Sequence, residues 1–353
     1  MPSLEVLIAG SIVVALNLYM VMGGADYGGG VWDLLASGPR AARQRELIAK
    51  AIGPIWEANH VWLILAITVM FTAFPVAFST ITTFLHIPLL LMLVGVVFRG
   101  SAFAFRSFNV HDERSKSTWG QVFSISSLLT PILLGITLGS IASGRLAPAH
   151  TNFREAYVDP WLAPFPIAVG FFALALFAFL AAVYLSVEAS DRDLREDFRT
   201  RSLASGVFVG IMALTVFLLA ENGAPALREQ MIRSPWTWPL QGITAIAATV
   251  TYAALWKRRF VLARFTAVVQ ASLILWGWAM AQFPSLIMPD VTIQETAAPV
   301  ATLKLLAVAL AAGAILLLPS FVYLLRVFKT GGDHEQHGFN LSSGHHKTTD
   351  RNL

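Results

Sequence analysis

Long runs of apolar residues separated by short polar segments dominate the sequence. A helix needs about 20 mostly apolar residues to cross the hydrocarbon core of a bilayer. Nine segments reach this length, and each predicts one membrane-spanning helix. They lie at about 4–23, 56–76, 80–104, 120–142, 163–187, 203–220, 237–256, 261–283 and 301–326. The pattern therefore predicts an all-α integral membrane protein with about nine transmembrane helices.

The second and third of these segments form one apolar run, interrupted only by Pro75 and the polar cluster Ser79–Thr83. An unbroken helix of that length does not fit in one bilayer, and proline removes a helical hydrogen bond. We therefore predict a tight hairpin that turns near residue 78.

Basic residues are distributed unequally between the loops. All but five of the 25 Lys and Arg residues fall in alternate loops and in the C-terminal segment. Because cytoplasmic loops retain Lys and Arg, this pattern predicts an N-terminus outside and a C-terminus in the cytoplasm. The five basic residues on the other side are Arg145, Arg154, Arg228, Arg233 and Lys304.

The composition agrees with a lipid environment, since 56% of the residues are hydrophobic and only 13% are charged. The net charge of +4 follows from the basic loops and does not indicate a nucleic-acid partner. The absence of cysteine excludes disulfides, thiolate metal ligands and a cysteine nucleophile.

The loops are too short to hold a soluble domain, so residues 1–329 are predicted to form one polytopic transmembrane domain. Residues 330–353 are polar and predict a disordered cytoplasmic tail. The tail holds His334, His337, His345 and His346. We interpret this segment as a solvated tail and predict that its histidines do not form a metal site.

The first chemically unusual segment is the glycine-rich stretch Gly23–Asp33, at the predicted inner end of the first span. Glycines allow a helix or a cofactor to approach closely, and they also allow a helix to unwind. A carboxylate at Asp26 then has to be solvated, capping or paired. A helix end and turn, capped by Asp26 or Asp33, is an equally good interpretation.

The second such segment, Ile52–Trp62, opens the second span. Pro54 suits the first turn of a helix, and Glu57 then lies where the helix dipole favours a carboxylate. His60 follows three residues later on the same face. Ionisable groups at membrane depth often mark proton routes or ligand sites, so a functional role competes with simple capping.

Arg99 lies at the inner end of the third span. In a hairpin that turns near residue 78, Glu57 and Arg99 lie at the same depth and are natural ion-pair partners. The pair has either a structural role or one in tuning the carboxylate or holding an anion. His86, in the third span, is a possible haem ligand by residue type, although a hydrogen bond to a neighbouring helix is the commoner role.

The segment Ile52–Ile64, with Trp56, Glu57, Asn59 and Trp62, resembles the signature that opens the second helix of subunit II of cytochrome bd quinol oxidases. The stretches Gly24–Gly28 and Val97–Gly100 resemble two further motifs of that family, and the resemblance covers essentially the whole chain. It implies two four-helix bundles plus one peripheral helix.

The resemblance further implies a complex in the bacterial cytoplasmic (inner) membrane that oxidises quinol and reduces dioxygen to water. Haem b and haem d-type groups belong mainly to a partner, subunit I, and a small third membrane subunit is an optional further partner. This chain then contributes to proton uptake from the cytoplasm and is not catalytic alone. Glu57 stands where the family has a proton-conducting carboxylate, and Asp26, His60 and Arg99 complete the predicted proton-pathway residues.

The sequence departs from the family pattern at two places. Gly23 stands where many members carry another acid, and no acid follows Arg99 within Gly100–Arg106. Two other readings remain open. The first is a proton- or ion-coupled secondary transporter, because broken helices and intramembrane ion pairs are typical of transporters. The second is an assembly subunit whose acids only cap helices.

Overall fold

The computed structural model describes residues 3–53, 56–108, 113–146, 152–317, 319–320 and 323; for residues 56–58, 106–108 and 113–117 it describes the backbone alone. The chain divides into two units, Met1–Leu303 and Lys304–Leu353. The packing described below is that of the first unit. The tail predicted at 330–353, with its four histidines, lies outside the described residues.

The described residues form a helical protein with one short hairpin. The first helices are α1 (Leu4–Leu34), α2 (Ala41–Ile52), α3 (Trp56–Ala73), α4 (Pro75–Phe84), α5 (His86–Phe108) and α6 (Glu113–Ala142). They are followed by α7 (Phe153–Tyr157), α8 (Pro164–Glu188), α9 (Arg192–Gly223), α10 (Pro225–Arg233), α11 (Thr237–Trp256) and α12 (Phe260–Gln282). The antiparallel strands β1 (Ser285–Ile287) and β2 (Val291–Thr292) precede α13 (Val300–Leu317).

A helix occupies each of the nine predicted segments, but the bounds differ from the predicted ones. Within the described ranges, seven helices are long and apolar enough to cross a membrane, or eight when α3 and α4 count as one bent span. The helix α11 matches the predicted range 237–256 but is not among these seven. The helix α1 continues to Leu34, beyond the predicted range 4–23. The helix α9 runs from Arg192 to Gly223, beyond both ends of the predicted range 203–220.

The predicted hairpin near residue 78 is wrong. The chain breaks at Phe74 instead, where Pro75 opens the separate helix α4, and α4 is bent by 117° from the preceding segment Asn59–Ala73. Proline suits the first turn of a helix but interrupts the hydrogen bonds of a helix that precedes it. The third long helix of this region, α5, begins only at His86.

The centre of the first unit is α8, which packs against α1, α6, α9 and α12. Every residue of α8 from Ala175 to Ser186 is buried, so this helix is enclosed on all sides by protein. In addition, α1 packs against α3 and α6, and α5 packs against α6. This arrangement brings the inner part of α1 close to α5, α6 and α8.

Large apolar side chains cover the outer faces of the helices. Examples are Ile64 and Phe71 on α3, Leu90 and Val97 on α5, and Ile211 on α9, which are between 55% and 62% exposed. A soluble protein rarely exposes so much apolar surface in contiguous faces. With the span-length helices, these faces indicate a protein whose surroundings are lipid or other membrane helices.

Candidate functional site

The glycine-rich stretch Gly23–Asp33 remains helical, and α1 continues through it to Leu34. The turn predicted there is therefore wrong. The glycines serve close packing instead, since a Cβ atom at Gly28 would lie 2.0 Å from the carbonyl oxygen of Phe177. A Cβ atom at Gly24 would lie 2.7 Å from the side chain of Leu180. Small residues of this kind let helix backbones approach each other in membranes, and here they dock α1 against α8.

Within this packed region, Asp26 and Arg99 form a buried ion pair. Their side chains are 0% and 1% exposed, and Arg99 Nη2 donates to Asp26 Oδ1. The same Nη2 also donates to the backbone oxygen of Asp26 at 3.2 Å. Arg99 Nε donates to the Ser127 hydroxyl at 3.0 Å, so the guanidinium connects α5 with α1 and α6.

Among the described side chains, the carboxylate that Arg99 contacts is thus Asp26. The pairing of Arg99 with Glu57 stays a prediction. The side chains of Trp56 and Glu57 lie outside the described residues, and their backbones open α3. The predicted pairing depended on a hairpin between the second and third spans. Because α4 separates α3 from α5, equal spacing from residue 78 no longer implies contact.

Two aromatic rings enclose the Arg99 guanidinium. Its Cζ atom lies 4.7 Å from the centroid of the Tyr27 ring and 5.0 Å from that of Phe123. Such cation–π contacts stabilise a guanidinium that has lost its hydration. The Tyr27 ring is itself stacked on Phe177, at 6.0 Å and an interplanar angle of 14°.

Several buried polar atoms at this site have no hydrogen-bond partner among the described residues. They are Asp26 Oδ2, Arg99 Nη1 and both amide atoms of Asn59, whose side chain is fully buried. The Asn59 amide lies over α1, since a Cβ atom at Gly23 would be 3.2 Å from its Nδ2. Buried polar groups without partners are costly and are commonly satisfied by ordered water. The site therefore has the donors and acceptors that hold water.

A chain of hydroxyl and imidazole groups borders the ion pair. The hydroxyls of Tyr19 and Tyr27 lie 2.9 Å apart, and the Tyr27 hydroxyl is 3.5 Å from His60 Nε2. Tyr19 and Tyr27 are two turns apart on α1, whereas His60 belongs to α3. The structure thus brings His60 close to the Asp26–Arg99 pair through Tyr27.

A second buried carboxylate, Asp33, lies seven residues after Asp26 on the same helix. Its Oδ2 accepts a hydrogen bond from the Ser124 hydroxyl at 3.0 Å. Seven residues of α-helix correspond to about 10 Å along the axis. Asp33 therefore contacts α6 directly through Ser124, whereas Asp26 is linked to α6 through Arg99, whose Nε donates to Ser127.

Sequence reasoning missed Ser127, Tyr27 and Tyr19. The two serines Ser124 and Ser127, three residues apart in an apolar helix, are a signal that could have been noticed. Nothing in the sequence indicated Tyr19, because its contact with Tyr27 depends on the continuation of α1 through the glycines. Trp62, predicted as a motif residue, is buried at 5% exposure.

Charged residues tie α2 to α9 at the end of the molecule where α1 ends. Arg40 donates from Nε and Nη2 to the two oxygens of Asp197, at 2.9 and 2.6 Å. The hydrogen bond and charge of this carboxylate raise the pKa of Arg40 above its usual range. Gln44 also donates to Asp197 at 2.9 Å, and Arg201 donates to Gln44 at 2.8 Å.

The two described histidines, His60 and His86, have different surroundings, and a role of His86 as a haem ligand stays a prediction. His60 Nε2 faces the Tyr27 hydroxyl in a packed junction, and His86 Nδ1 contacts the backbone oxygen of Thr83 at 2.8 Å on an exposed surface. Within the ranges that the structure describes, no group of three His, Asp or Glu side chains is arranged to hold a metal ion.

Comparisons with known proteins agree on one family. The sequence profile described as cytochrome bd terminal oxidase subunit II matches residues 4–328. A Bacillus subtilis (strain 168) protein named "Putative cytochrome bd menaquinol oxidase subunit II" is 23% identical over 342 residues, which cover 92% of this chain and 96% of that protein.

Two further comparisons give the same result. Cytochrome bd-I ubiquinol oxidase subunit 2 of Escherichia coli (strain K12) is 24% identical over 210 residues, which cover 59% of this chain and 53% of that protein. The solved structure of bd oxidase from Geobacillus thermodenitrificans superposes with a TM-score of 0.77 at 21% identity, covering 93% of this chain and 99% of that one. This superposition supports the helical fold.

Proposed function

Because this chain belongs to the cytochrome bd terminal oxidase subunit II family, we propose that it pairs with a haem-carrying subunit I and helps to supply protons for reduction of oxygen. Family membership makes it part of a haem-containing quinol oxidase of aerobic respiration. To family membership, the proposal adds the pairing of this chain with subunit I, the proton route and the residues on that route. The single observation that carries it is the buried Asp26–Arg99 pair with its unsatisfied polar atoms.

A fully buried ion pair is expensive to form, and it is retained in a membrane protein mostly where it has a function. Asp26 Oδ2 has free lone pairs, so it can accept a proton while Oδ1 stays in contact with Arg99. Protonation of Asp26 leaves the positive charge of Arg99 uncompensated in a medium of low dielectric constant. The protonated state is therefore short-lived, and the proton moves on.

The proposed route consists of Glu57, Asp26, His60 and Arg99. Glu57 opens α3, one turn before His60, and is included on the strength of its sequence position. The positive charge of Arg99 offsets the negative charge of Asp26. Asn59 presents amide atoms that can bind water beside this pair. In this arrangement Trp56, Trp62, Gly24 and Gly28 have packing roles.

The proposal includes an architecture and a setting. The nine helices at the predicted segments cross the bacterial cytoplasmic membrane as two four-helix bundles plus one peripheral helix, with the N-terminus outside. Residues 1–329 form the membrane domain, and residues 330–353 form a cytoplasmic tail. Haem b and haem d-type groups are bound mainly by subunit I.

The rival transporter reading has lost one of its supports. It relied in part on broken helices, whereas α1 is continuous from Leu4 to Leu34 and passes through the glycines without a break. Among the described residues, one bent pair of helices remains, α3 and α4. The bend lies at Phe74, at the opposite end of α3 from Asn59 and His60.

The test is to purify the complex through a tag on this chain and to record a reduced-minus-oxidised optical spectrum. Quinol-driven oxygen consumption is measured on the same sample. We expect haem bands, oxygen uptake and a second large membrane subunit. A colourless, solitary chain from intact membranes would contradict the pairing.

The proton route is tested separately with Glu57→Gln in the assembled oxidase. We expect slower oxygen reduction and weaker generation of membrane potential at unchanged haem content. Unchanged turnover and charge generation would exclude Glu57 from the route and favour the assembly role for this chain.

A further inference from the structure

Among the side chains that the structure describes, Tyr27 contacts both the ion pair and His60. Its ring covers the Arg99 guanidinium, its hydroxyl reaches His60 Nε2, and it follows Asp26 directly in the chain. We propose that Tyr27 is a positioning residue of the proton route, which holds Arg99 with its ring and His60 with its hydroxyl. This inference rests on the proposed role of the chain in proton uptake.

The ring of Tyr27 has little freedom to move. The ring contacts the Arg99 guanidinium, and it is also stacked on Phe177 at 6.0 Å. The close contact of Gly28 with the Phe177 backbone keeps α1 and α8 at a constant distance. Phe123 also contacts the guanidinium, and Arg99 Nη2 donates to Asp26, so these contacts together restrain the position of Arg99.

The hydroxyl of Tyr27 links two groups that do not contact each other through hydrogen bonds. It lies 2.9 Å from the Tyr19 hydroxyl and 3.5 Å from His60 Nε2. A phenol has one proton, so it donates to one neighbour and accepts from the other. If His60 Nε2 carries a lone pair, Tyr27 donates to it and accepts from Tyr19.

When His60 Nε2 carries a proton, the direction of both hydrogen bonds reverses. Tyr27 then accepts from the imidazole and donates to Tyr19. The reversal requires only the rotation of two O–H bonds, and no covalent bond is broken. Tyr27 can therefore stay in place while the protonation state of His60 changes, which is the property that a positioning residue needs.

Tyr184 provides a matched control, which shows what the loss of a purely structural tyrosine hydroxyl does. This tyrosine is 8% exposed, and its hydroxyl donates to the backbone oxygen of Val21 on α1 at 3.1 Å. Its hydroxyl therefore makes one buried hydrogen bond to the same helix without contacting Arg99 or His60. Tyr184→Phe and Tyr27→Phe each remove a buried hydroxyl and preserve the ring.

The experiment compares these two variants in the assembled oxidase, with the haem spectrum as the check on assembly. Readouts are kcat and KM for quinol-driven oxygen consumption, and the ratio of kcat in H2O to that in D2O. For Tyr27→Phe we expect kcat to fall roughly 3- to 10-fold, the rate equivalent of one lost hydrogen bond. KM for quinol stays unchanged and the solvent isotope ratio rises, while Tyr184→Phe behaves as the wild type.

A double-mutant cycle with His60→Leu tests whether Tyr27 acts through the imidazole. We expect the double variant Tyr27→Phe/His60→Leu to lose no more activity than the more damaging single variant, because both remove the same contact. Independent, multiplying losses would overturn the proposal. A Tyr27→Phe enzyme with wild-type kcat and isotope ratio would overturn it as well.

If Tyr27→Phe yields no assembled complex, the cycle is run with Tyr19→Phe. This variant removes the hydroxyl that lies 2.9 Å from the Tyr27 hydroxyl and keeps the ring that packs edge-on against His60. Coupling between Tyr19 and His60 then supports the proposal, and independent effects contradict it. Failure of the proposed function gives a different result, since the wild-type chain itself would then purify without haem or oxygen uptake.

Discussion

Asp26 and Arg99 share one hydrogen bond between their charged groups and are both enclosed by protein, although Asp26 Oδ2 and Arg99 Nη1 have no hydrogen-bond partner in the part of the chain that the structure describes. The pair joins α1 to α5 at the point where α6 and α8 also meet. The pair therefore holds helices together and also forms part of the proposed proton route. Substitutions test these two roles separately, because the first affects stability and the second affects turnover.

Asp26→Asn removes the negative charge and leaves a buried guanidinium uncompensated. We expect a loss of roughly 3–5 kcal/mol in the free energy of unfolding, as is typical when one partner of a buried pair is removed. Thermal unfolding of the purified complex measures it. The control is Arg154→Gln, because the pair Arg154–Asp159 is 82% and 44% exposed and such pairs contribute little.

The double variant Asp26→Leu/Arg99→Met replaces both charges by apolar groups of similar volume. We expect it to recover most of the stability that Asp26→Asn loses, since the desolvation penalty disappears with the pair. Turnover of the oxidase should stay low. A double variant that is stable and fully active would show that the pair has no part in proton uptake.

Gly28→Ala places a Cβ atom 2.0 Å from the Phe177 carbonyl oxygen, a distance that forces α1 away from α8. We expect a large drop in the yield of assembled complex, at a cost of about 1–3 kcal/mol or more for overpacking. Gly10→Ala on the same helix meets nothing within 4 Å. This control should be neutral or slightly stabilising, and equal damage in both variants would contradict the close approach of α1 and α8.

Asn59→Leu removes two buried amide atoms that lack hydrogen-bond partners. We expect the thermal stability to be unchanged or higher, because no hydrogen bond within the chain is lost. If Asn59 binds water of the proton route, kcat falls roughly 3- to 10-fold, with a larger solvent isotope ratio. Gln270→Leu on α12, another buried amide with an unpartnered oxygen, should leave kcat unchanged.

The predicted orientation can be tested by labelling, because the chain has no cysteine of its own. Ser37, after α1, and Asn222, near the end of α9, are both exposed. With the N-terminus outside, a membrane-impermeant maleimide added to intact cells labels Asn222→Cys but not Ser37→Cys. Permeabilised cells should label both. The opposite pattern in intact cells would reverse the topology.

The sequence determined the membrane character and the location of the helices. Lipid cannot hydrogen-bond to the backbone, so spans of sufficient apolar length have to form helices wherever they occur. For the same reason, the few charged residues inside the apolar segments stood out as sites of interest. Asp26, His60 and Arg99 were identified in this way, and the structure places them around Tyr27.

The partners of those residues were decided by tertiary packing. The sequence placed Glu57 beside Arg99 through a hairpin that the structure does not form, because the break at Phe74 and Pro75 produces a separate helix and α5 packs against α6. The partner of Arg99 that the structure describes is Asp26, on α1. The glycines from Gly23 onward left two interpretations open, close packing of helices or a helix end and turn, and the structure shows the first. Packing against Phe177 and Leu180 keeps them helical, and only this continuous helix aligns Tyr19 with Tyr27. Contacts between distant segments depend on how whole helices fit together, and that information is not contained in the local pattern of any one of them.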